Sequence, residues 1–113
     1  MTLLPKEILI NNWPVSLLCN GEKCYGILFV TNRRVLFNGN ITALILNNQI
    51  SLSIINENGI IELEKTEINY TLQQQEYLKN NTLSIYCTDG ESITFEAEIS
   101  VLDCIENAIN SKN

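Results

Sequence analysis

Tight-turn dipeptides cut this chain into short apolar runs, which limits it to a fold built mainly from strands. Asn–Gly at 20–21 and 58–59 and Asp–Gly at 89–90 favour reversals between antiparallel strands. Between the turns, apolar and polar residues alternate within 50–54 and again within 68–72, the period of a strand with one dry face. The sequence therefore predicts a mainly β fold of the α+β class.

Two segments are predicted to be helical. A short N-terminal helix at 3–11 would end before Pro14. A second helix, at 100–111, begins with a sequence at 100–103 that resembles a capping box. Its buried stripe would consist of Leu102, Ile105 and Ile109. Strands are predicted at 15–19, 25–30, 34–37, 41–46, 50–55, 60–63, 68–72, 82–87 and 92–96.

The length of the chain, 113 residues, suits one domain. No repeat or linker divides it, so we predict a single domain over 1–113. A chain of this length can bury roughly two-thirds of the surface that its unfolded form exposes, which is enough for one hydrophobic core.

The net charge of −6 bears on partners and location. An acidic chain repels phosphate backbones at long range, so no nucleic-acid partner is expected. The first residues lack the basic region of a signal peptide, and no run approaches the ~20 apolar residues that span a bilayer. We therefore expect a cytoplasmic protein whose four cysteines are reduced thiols.

The residue types also argue against catalysis and metal binding. The chain contains no histidine, so neither a Ser-His-Asp nor a Cys-His pairing is available. Cys19 and Cys24 straddle a predicted hairpin, but the four cysteines do not have the spacing of a zinc knuckle. A core position is the expected role of a reduced cysteine. We predict that the protein is not an enzyme and has neither a metal site nor a cofactor.

Residues 26–37 carry a resemblance to a known family. Their sequence, Gly-Ile-Leu-Phe-Val-Thr-Asn-Arg-Arg-Val-Leu-Phe, resembles the second and third strands of GRAM and bacterial pleckstrin-homology-like (PH-like) domains, with the pattern Thr-Asn-x-Arg between them. Residues 61–63 and 67–68 are similar to a later segment of that family, and the terminal hairpin and helix match its ending. The chain departs from the family by an insertion around 39–60.

The resemblance implies a PH-like, partly open barrel of two packed antiparallel sheets. About seven strands would form it, and one C-terminal α-helix would close it. The resemblance also implies ligand recognition without catalysis.

The basic residues decide whether a phosphoinositide is a plausible ligand. Lipid-binding PH domains gather several Lys and Arg around the first hairpin loop, where this chain has only Lys23. Arg33 and Arg34 lie at the far end of the second strand, roughly 25–30 Å away at the usual rise of a strand. One inositol phosphate cannot bridge that distance. These three residues are the candidate anion contacts; the alternative for the arginines is to cap backbone carbonyls or pair with acids.

Two hypotheses about function follow. The main one is a cytoplasmic PH/GRAM-like module that binds a protein partner or associates with itself, for which the 41–55 insertion offers an edge strand. Under this hypothesis, Tyr25 and Phe29 are expected in the core, and Trp13 is expected to pack the N-terminal helix onto the barrel. The alternative is a peripheral membrane or phosphoinositide-binding module that uses the candidate anion contacts, Lys23, Arg33 and Arg34.

Overall fold

A computed structural model describes residues 2–75 and 81–111. Within these ranges, seven antiparallel strands form one sheet in the order β4-β3-β2-β1-β7-β6-β5. The strands are β1 (Leu9–Cys19), β2 (Glu22–Thr31), β3 (Arg34–Gly39), β4 (Ile61–Glu64), β5 (Ile68–Gln74), β6 (Asn81–Cys87) and β7 (Ser92–Ala97). The helices are α1 (Thr42–Leu46) and α2 (Ile99–Ile109), and 3₁₀ turns lie at Leu52–Ile54 and Lys65–Glu67.

The sheet bends back on itself around one core. The rings of Phe37 on β3 and Phe95 on β7 have centroids 5.4 Å apart, although β2 and β1 lie between these strands in the sheet. A flat sheet would separate strands three positions apart by roughly 14 Å. The two halves therefore face each other. The predicted mainly β fold with one C-terminal helix is confirmed, but the two expected sheets are one continuous, open sheet.

Local turn chemistry fixes two of the hairpins as predicted. Asn20 and Gly21 have φ angles of 51° and 86°, both in the left-handed region that a two-residue type I′ turn requires. The loop between β6 and β7 is closed by Gly90, whose N–H donates to the carbonyl of Cys87 at 3.1 Å. Asp89 supports that loop by accepting from the N–H of Glu91 at 2.9 Å.

The predicted N-terminal helix at 3–11 is wrong. The chain turns at Lys6, whose φ is 65°, and enters β1 at Leu9, which pairs with Thr31 on β2. Long-range pairing with β2 has therefore overridden the local helical preference. Pro14 is tolerated inside β1 because β7 pairs with β1 only at residues 16–18, so β1 has an open side at Pro14.

The predicted strands at 41–46 and 50–55 are also wrong. The first contains helix α1, where the N-cap residue Ile41 and the helical residue Leu44, three positions apart, are buried. The second contains a 3₁₀ turn, where Leu52 is 69% exposed and Ile54 is buried. An apolar run this short has no periodicity that separates a strand from a helix. The insertion covers part of the core and adds no strand to the sheet.

Helix α2 closes the core as its sequence predicted. Its buried side chains are Leu102, Ile105, Ala108 and Ile109. The predicted capping box is wrong, because the N-cap residue is Glu98, just before the helix, and no side chain caps it. At the other end, the Lys65 ammonium donates to the carbonyls of Ala108 and Ser111 at 2.9 and 3.3 Å, where a cation also suits the helix dipole.

Strand β2 is not covered on both faces as predicted. Its inward side chains Leu28 and Val30 are fully buried, whereas Tyr25, expected in the core, is 76% exposed. Gly26 faces inward opposite Val15, and the ring of Phe37 lies across it. A Cβ atom at Gly26 would come within 2.5 Å of the Asn38 carbonyl and 2.6 Å of the Phe37 ring.

We expect Gly26→Ala to destabilise the fold by about 1–3 kcal/mol, because overpacking displaces the neighbouring groups. Urea-induced unfolding would measure the change. Ser92→Ala, at an exposed position of β7, is the control and should stay within about 0.5 kcal/mol of the wild type. Equal stability of the two variants would contradict the close packing at Gly26.

Candidate functional site

A buried ion pair joins the N-terminal segment to the outer face of β3. Two nitrogens of Arg34 donate to the two carboxylate oxygens of Glu7, Nε at 2.7 Å and Nη2 at 2.5 Å. Arg34 also donates to Glu62 at 2.8 Å and to the carbonyl of Thr2 at 3.2 Å. Glu7 and Arg34 are both buried, at 6% and 6% exposure. Arg34 is therefore bound within the protein itself.

The Thr-Asn-x-Arg sequence at 31–34 stabilises the turn between β2 and β3 and its contact with the N-terminal segment. The Thr31 hydroxyl donates to Glu7 at 2.7 Å and accepts the N–H of Arg34 at 2.8 Å, which closes the turn between β2 and β3. The Asn32 side chain accepts the N–H of Ile8 at 2.8 Å and donates to the carbonyl of Lys6 at 3.4 Å. Together with Arg34, these side chains hold the N-terminal segment in place.

The ionisation of this cluster is strongly shifted. The hydrogen bonds from Arg34 lower the pKa of Glu7 to about 2, against the opposing effect of burial. The same contact raises the pKa of Arg34. The pair stays charged at any physiological pH. Sequence analysis missed Glu7; the only signal was a single acidic residue placed among apolar ones.

The three candidate anion contacts do not form one site. Lys23 forms an ion pair with Glu96 at 2.8 Å, which raises the pKa of Lys23. It lies at the start of β2, and Arg33 and Arg34 lie beyond its end, roughly 26 Å away at 3.3 Å per residue. In the described part of the chain, Arg33 alone of the three has no carboxylate partner. The structure separates these residues as the sequence predicted.

A cleft of about 710 Å³ lies over Arg34, between the N-terminal segment and the loop at 56–58. Its polar walls include Glu57 and Glu62. The Arg34 guanidinium already donates to Glu7 and Glu62. An anion that entered the cleft would therefore find no free pair of N–H donors on Arg34. The cleft is therefore a poor anion site.

The four cysteines are free thiols, and two of them make structural contacts. Cys24 donates to the carbonyl of Asn40 at 3.0 Å and Cys19 to that of Gln49 at 2.8 Å, so both ends of the segment around α1 are tied to the first hairpin. Burial raises the pKa of both thiols, which lowers the fraction of reactive thiolate. Cys24 pairs with Leu17 across the hairpin, not with Cys19. Over residues 2–75 and 81–111, no group of three or more His, Cys, Asp or Glu could hold a metal ion.

Strand β5 is an edge strand of the sheet. In the described ranges it pairs with β6 alone. Its outward side chains Tyr70 and Leu72 are 53% and 43% exposed, and Tyr86 on β6 stacks against Tyr70 with ring centroids 4.6 Å apart. We call Tyr70, Leu72, Tyr86 and the free backbone of β5 the β5 edge surface. No residue of β5 is charged.

The opposite edge, β4, is different. It carries Glu62 and Glu64, and Ile61 forms an isolated bridge with Ile55 of the insertion. Charged side chains and covering segments are the usual means by which proteins protect a sheet edge from pairing. In the described part of the chain β5 has neither kind of protection, so it is the more accessible of the two edges to a partner.

Comparison with known proteins identifies a fold neighbour but no family. No protein-family model matches the chain, and no curated protein matches it. A similar solved structure is the crystal structure of the C-terminal domain of an unknown protein from Leishmania infantum, with a TM-score of 0.68. The two are 12% identical, over 95% of this chain and 88% of the other. This likeness shows a shared fold.

The Glu7–Arg34 pair makes stability depend on acid pH. The pKa of Glu7 is about 2 in the folded chain against 4.5 without these contacts, so its contribution is complete above pH 4.5 and is lost as the pH falls towards 2. The shift corresponds to on the order of 3 kcal/mol. We expect Glu7→Gln to lose stability at neutral pH and to flatten the pH dependence of urea unfolding in this window.

Glu57→Gln, at an exposed position of the neighbouring loop, is the matched control. It should keep both the wild-type stability and the wild-type pH dependence. A Glu7→Gln variant with the same acid profile as the wild type would show that the ion pair does not stabilise the fold.

Proposed function

We propose that the chain is a cytoplasmic, non-catalytic binding module of the PH/GRAM-like kind that binds protein partners by strand addition along β5. The observation that carries this proposal is the β5 edge surface, an uncharged edge strand with an exposed aromatic and aliphatic face. Backbone groups at such an edge supply affinity, and alternate side chains supply specificity.

The PH/GRAM-like identity rests on agreement between sequence and architecture. The seven antiparallel strands and the single C-terminal helix fit the fold that the resemblance implies. The Thr-Asn-x-Arg segment occupies the turn between β2 and β3, where the resemblance puts it. Among the described residues no helix, α1 and α2 included, is long and apolar enough to cross a bilayer.

Protein binding is favoured over headgroup capture by what the cations already contact. Lys23 and Arg34 both hold carboxylates at 2.8 Å or less. To bind a phosphate, each would have to give up a charge-assisted hydrogen bond, and for Arg34 that would leave Glu7 buried and uncompensated. A phosphoinositide site built on Lys23, Arg33 and Arg34 is thus disfavoured.

A second copy of this chain is the partner that the composition of β5 favours. Antiparallel pairing of two β5 strands about Thr71 would set Tyr70 of each copy opposite Leu72 of the other on the outward face. Aromatic and aliphatic side chains in direct cross-strand positions stabilise such a pair by about 0.2–1 kcal/mol each. Strand β5 itself brings no like charges together, because it has none, but Glu106 of α2, which accepts from the Thr71 hydroxyl, would approach its counterpart in the other copy.

We expect Tyr70→Lys and Leu72→Lys to weaken concentration-dependent association of the chain, measured by sedimentation velocity. A charge on an edge strand opposes pairing. Each change also reduces the net charge from −6 to −5, so weaker association could not result from greater overall repulsion. Leu46→Lys on α1, where the side chain is 76% exposed, adds the same charge elsewhere and should leave association unchanged.

A labelled peptide with the β5 sequence Ile-Asn-Tyr-Thr-Leu-Gln-Gln tests strand addition directly. Binding that depends on Tyr70 and Leu72 would support the proposal. A wild-type chain that stays monomeric at every concentration and does not bind the peptide would overturn it.

A further inference from the structure

Two carboxylates of helix α2 border the inward face of β5. Asp103 and Glu106 are three positions apart, so they lie on the same side of the helix. Thr71 and Gln73 alternate with the outward residues of β5 and point towards α2. The Thr71 hydroxyl donates to Glu106 at 2.5 Å, and the Gln73 amide donates to Asp103 at 2.9 Å and to Glu106 at 3.0 Å. We call Asp103 and Glu106 the acidic side of α2.

The acidic side of α2 is held in place without being neutralised. Its donors, a hydroxyl and an amide, carry no charge. Among residues 2–75 and 81–111, neither carboxylate forms an ion pair. Lys65 donates instead to backbone carbonyls at the C-terminal end of the helix. Two negative charges therefore lie beside β5, and no cation of the described residues compensates them.

A strand that pairs with β5 would lie next to these charges. The spacing of paired strands is about 4.8 Å, and the inward side chains of the new strand would point to the same side as Thr71 and Gln73. A lysine or arginine at such a position could form a charge-assisted hydrogen bond with Asp103 or Glu106. The outward side chains of the new strand would meet Tyr70 and Leu72 instead. The two faces of a partner strand thus meet different chemistry.

A second copy of the chain matches the outward face better than the inward face. Its β5 strand has no cation to offer the acidic side of α2. It would also bring its own Glu106 towards that of the first copy, because each is bonded to Thr71 at the centre of the pairing. Like charges that approach each other at an interface oppose the wrong partner and so give specificity. A basic strand from another protein would avoid this repulsion.

We infer that the acidic side of α2 selects a basic partner strand, with apolar or aromatic residues on its outward face and Lys or Arg on its inward face. The residues of β5 alone favour a second copy; once α2 is included, a basic strand of another protein has the more complementary surface. This inference rests on the proposed strand addition at β5 and names the kind of segment that binds there.

Three labelled peptides test the inference by fluorescence anisotropy. The neutral peptide has the β5 sequence Ile-Asn-Tyr-Thr-Leu-Gln-Gln. The lysine peptide carries Asn69→Lys and Thr71→Lys, which antiparallel pairing about Thr71 sets opposite Gln73 and Thr71 of the chain. The glutamate peptide carries Asn69→Glu and Thr71→Glu. At low salt the lysine peptide should bind roughly fivefold more tightly than the neutral peptide, and the glutamate peptide more weakly than either.

A double variant of the chain tests whether α2 causes this preference. Asp103→Asn with Glu106→Gln keeps oxygen acceptors for the Thr71 hydroxyl and the Gln73 amide, and it removes two negative charges, which takes the net charge from −6 to −4. It should bring the affinities of the lysine and neutral peptides within about twofold of each other. In the wild type, added salt should reduce the preference, because exposed charges are screened.

Matched controls make the same charge changes away from β5. Glu22→Gln with Glu57→Gln, at two exposed positions, also gives a net charge of −4 and should keep the preference for the lysine peptide. Asp103→Asn alone, at an exposed position of α2, should lower the preference about twofold, whereas Glu57→Gln alone should not. The single variants keep the comparison valid if the α2 double variant does not fold.

The neutral peptide separates a failure of this inference from a failure of the proposed function. If none of the three peptides binds, strand addition at β5 is wrong and the inference fails with it. If the wild type binds the neutral and lysine peptides equally, strand addition is supported and selection by α2 is wrong. A preference that the α2 variants and their controls lose to the same extent would result from the net charge of the chain, which would also overturn the inference.

Discussion

The pairing of β1 with two neighbours is the constraint on which the rest of the structure depends. Because β1 pairs with β2 along its length and with β7 at residues 16–18, the two halves of the chain belong to one sheet. The contact between Phe37 and Phe95 then requires that sheet to bend around a shared core. The bend leaves one end of β1 without β7 beside it and places β5 at an outer edge. The β5 edge surface is a consequence of this topology.

The Glu7–Arg34 pair connects that topology to the N-terminal segment. A buried pair of charges adds little net stability, because the cost of removing both from water offsets most of their attraction. Loss of one partner is far more costly, since the other charge stays buried. The pair therefore specifies position: Glu7 has one place on the outer face of β3 where it is compensated. That placement also fixes Ile8 against Asn32.

Features set by local chemistry could be predicted from the sequence, and features set by distant contacts could not. The turn at Asn20–Gly21, the hairpin at Asp89–Gly90 and helix α2 each depend on residues close together in the chain. The segment at 41–46 was misassigned because its apolar run fits a strand as well as a short helix.

The candidate site also shows that contacts between residues distant in the chain cannot be predicted from the sequence. The separation of Lys23 from Arg33 and Arg34 follows from strand geometry alone, and it was predicted. The partner of Arg34 is 27 positions away along the chain, and no local pattern identifies it. Likewise, the exposure of Tyr70 and Leu72 depends on β5 being an edge strand, which only the strand order determines.

The net charge of −6 affects how two copies of the chain approach each other before an uncharged edge such as β5 can pair. At low ionic strength, two such chains about 30 Å apart repel each other by on the order of 2 kcal/mol, and at physiological salt by well under 1 kcal/mol. The repulsion acts before contact and is weak beside the hydrogen bonds and cross-strand pairs that form at contact. Net charge therefore opposes nonspecific clustering at a distance, while specific pairing at β5 depends on short-range contacts. Added salt should then strengthen association through β5, because it screens the repulsion and leaves uncharged contacts intact.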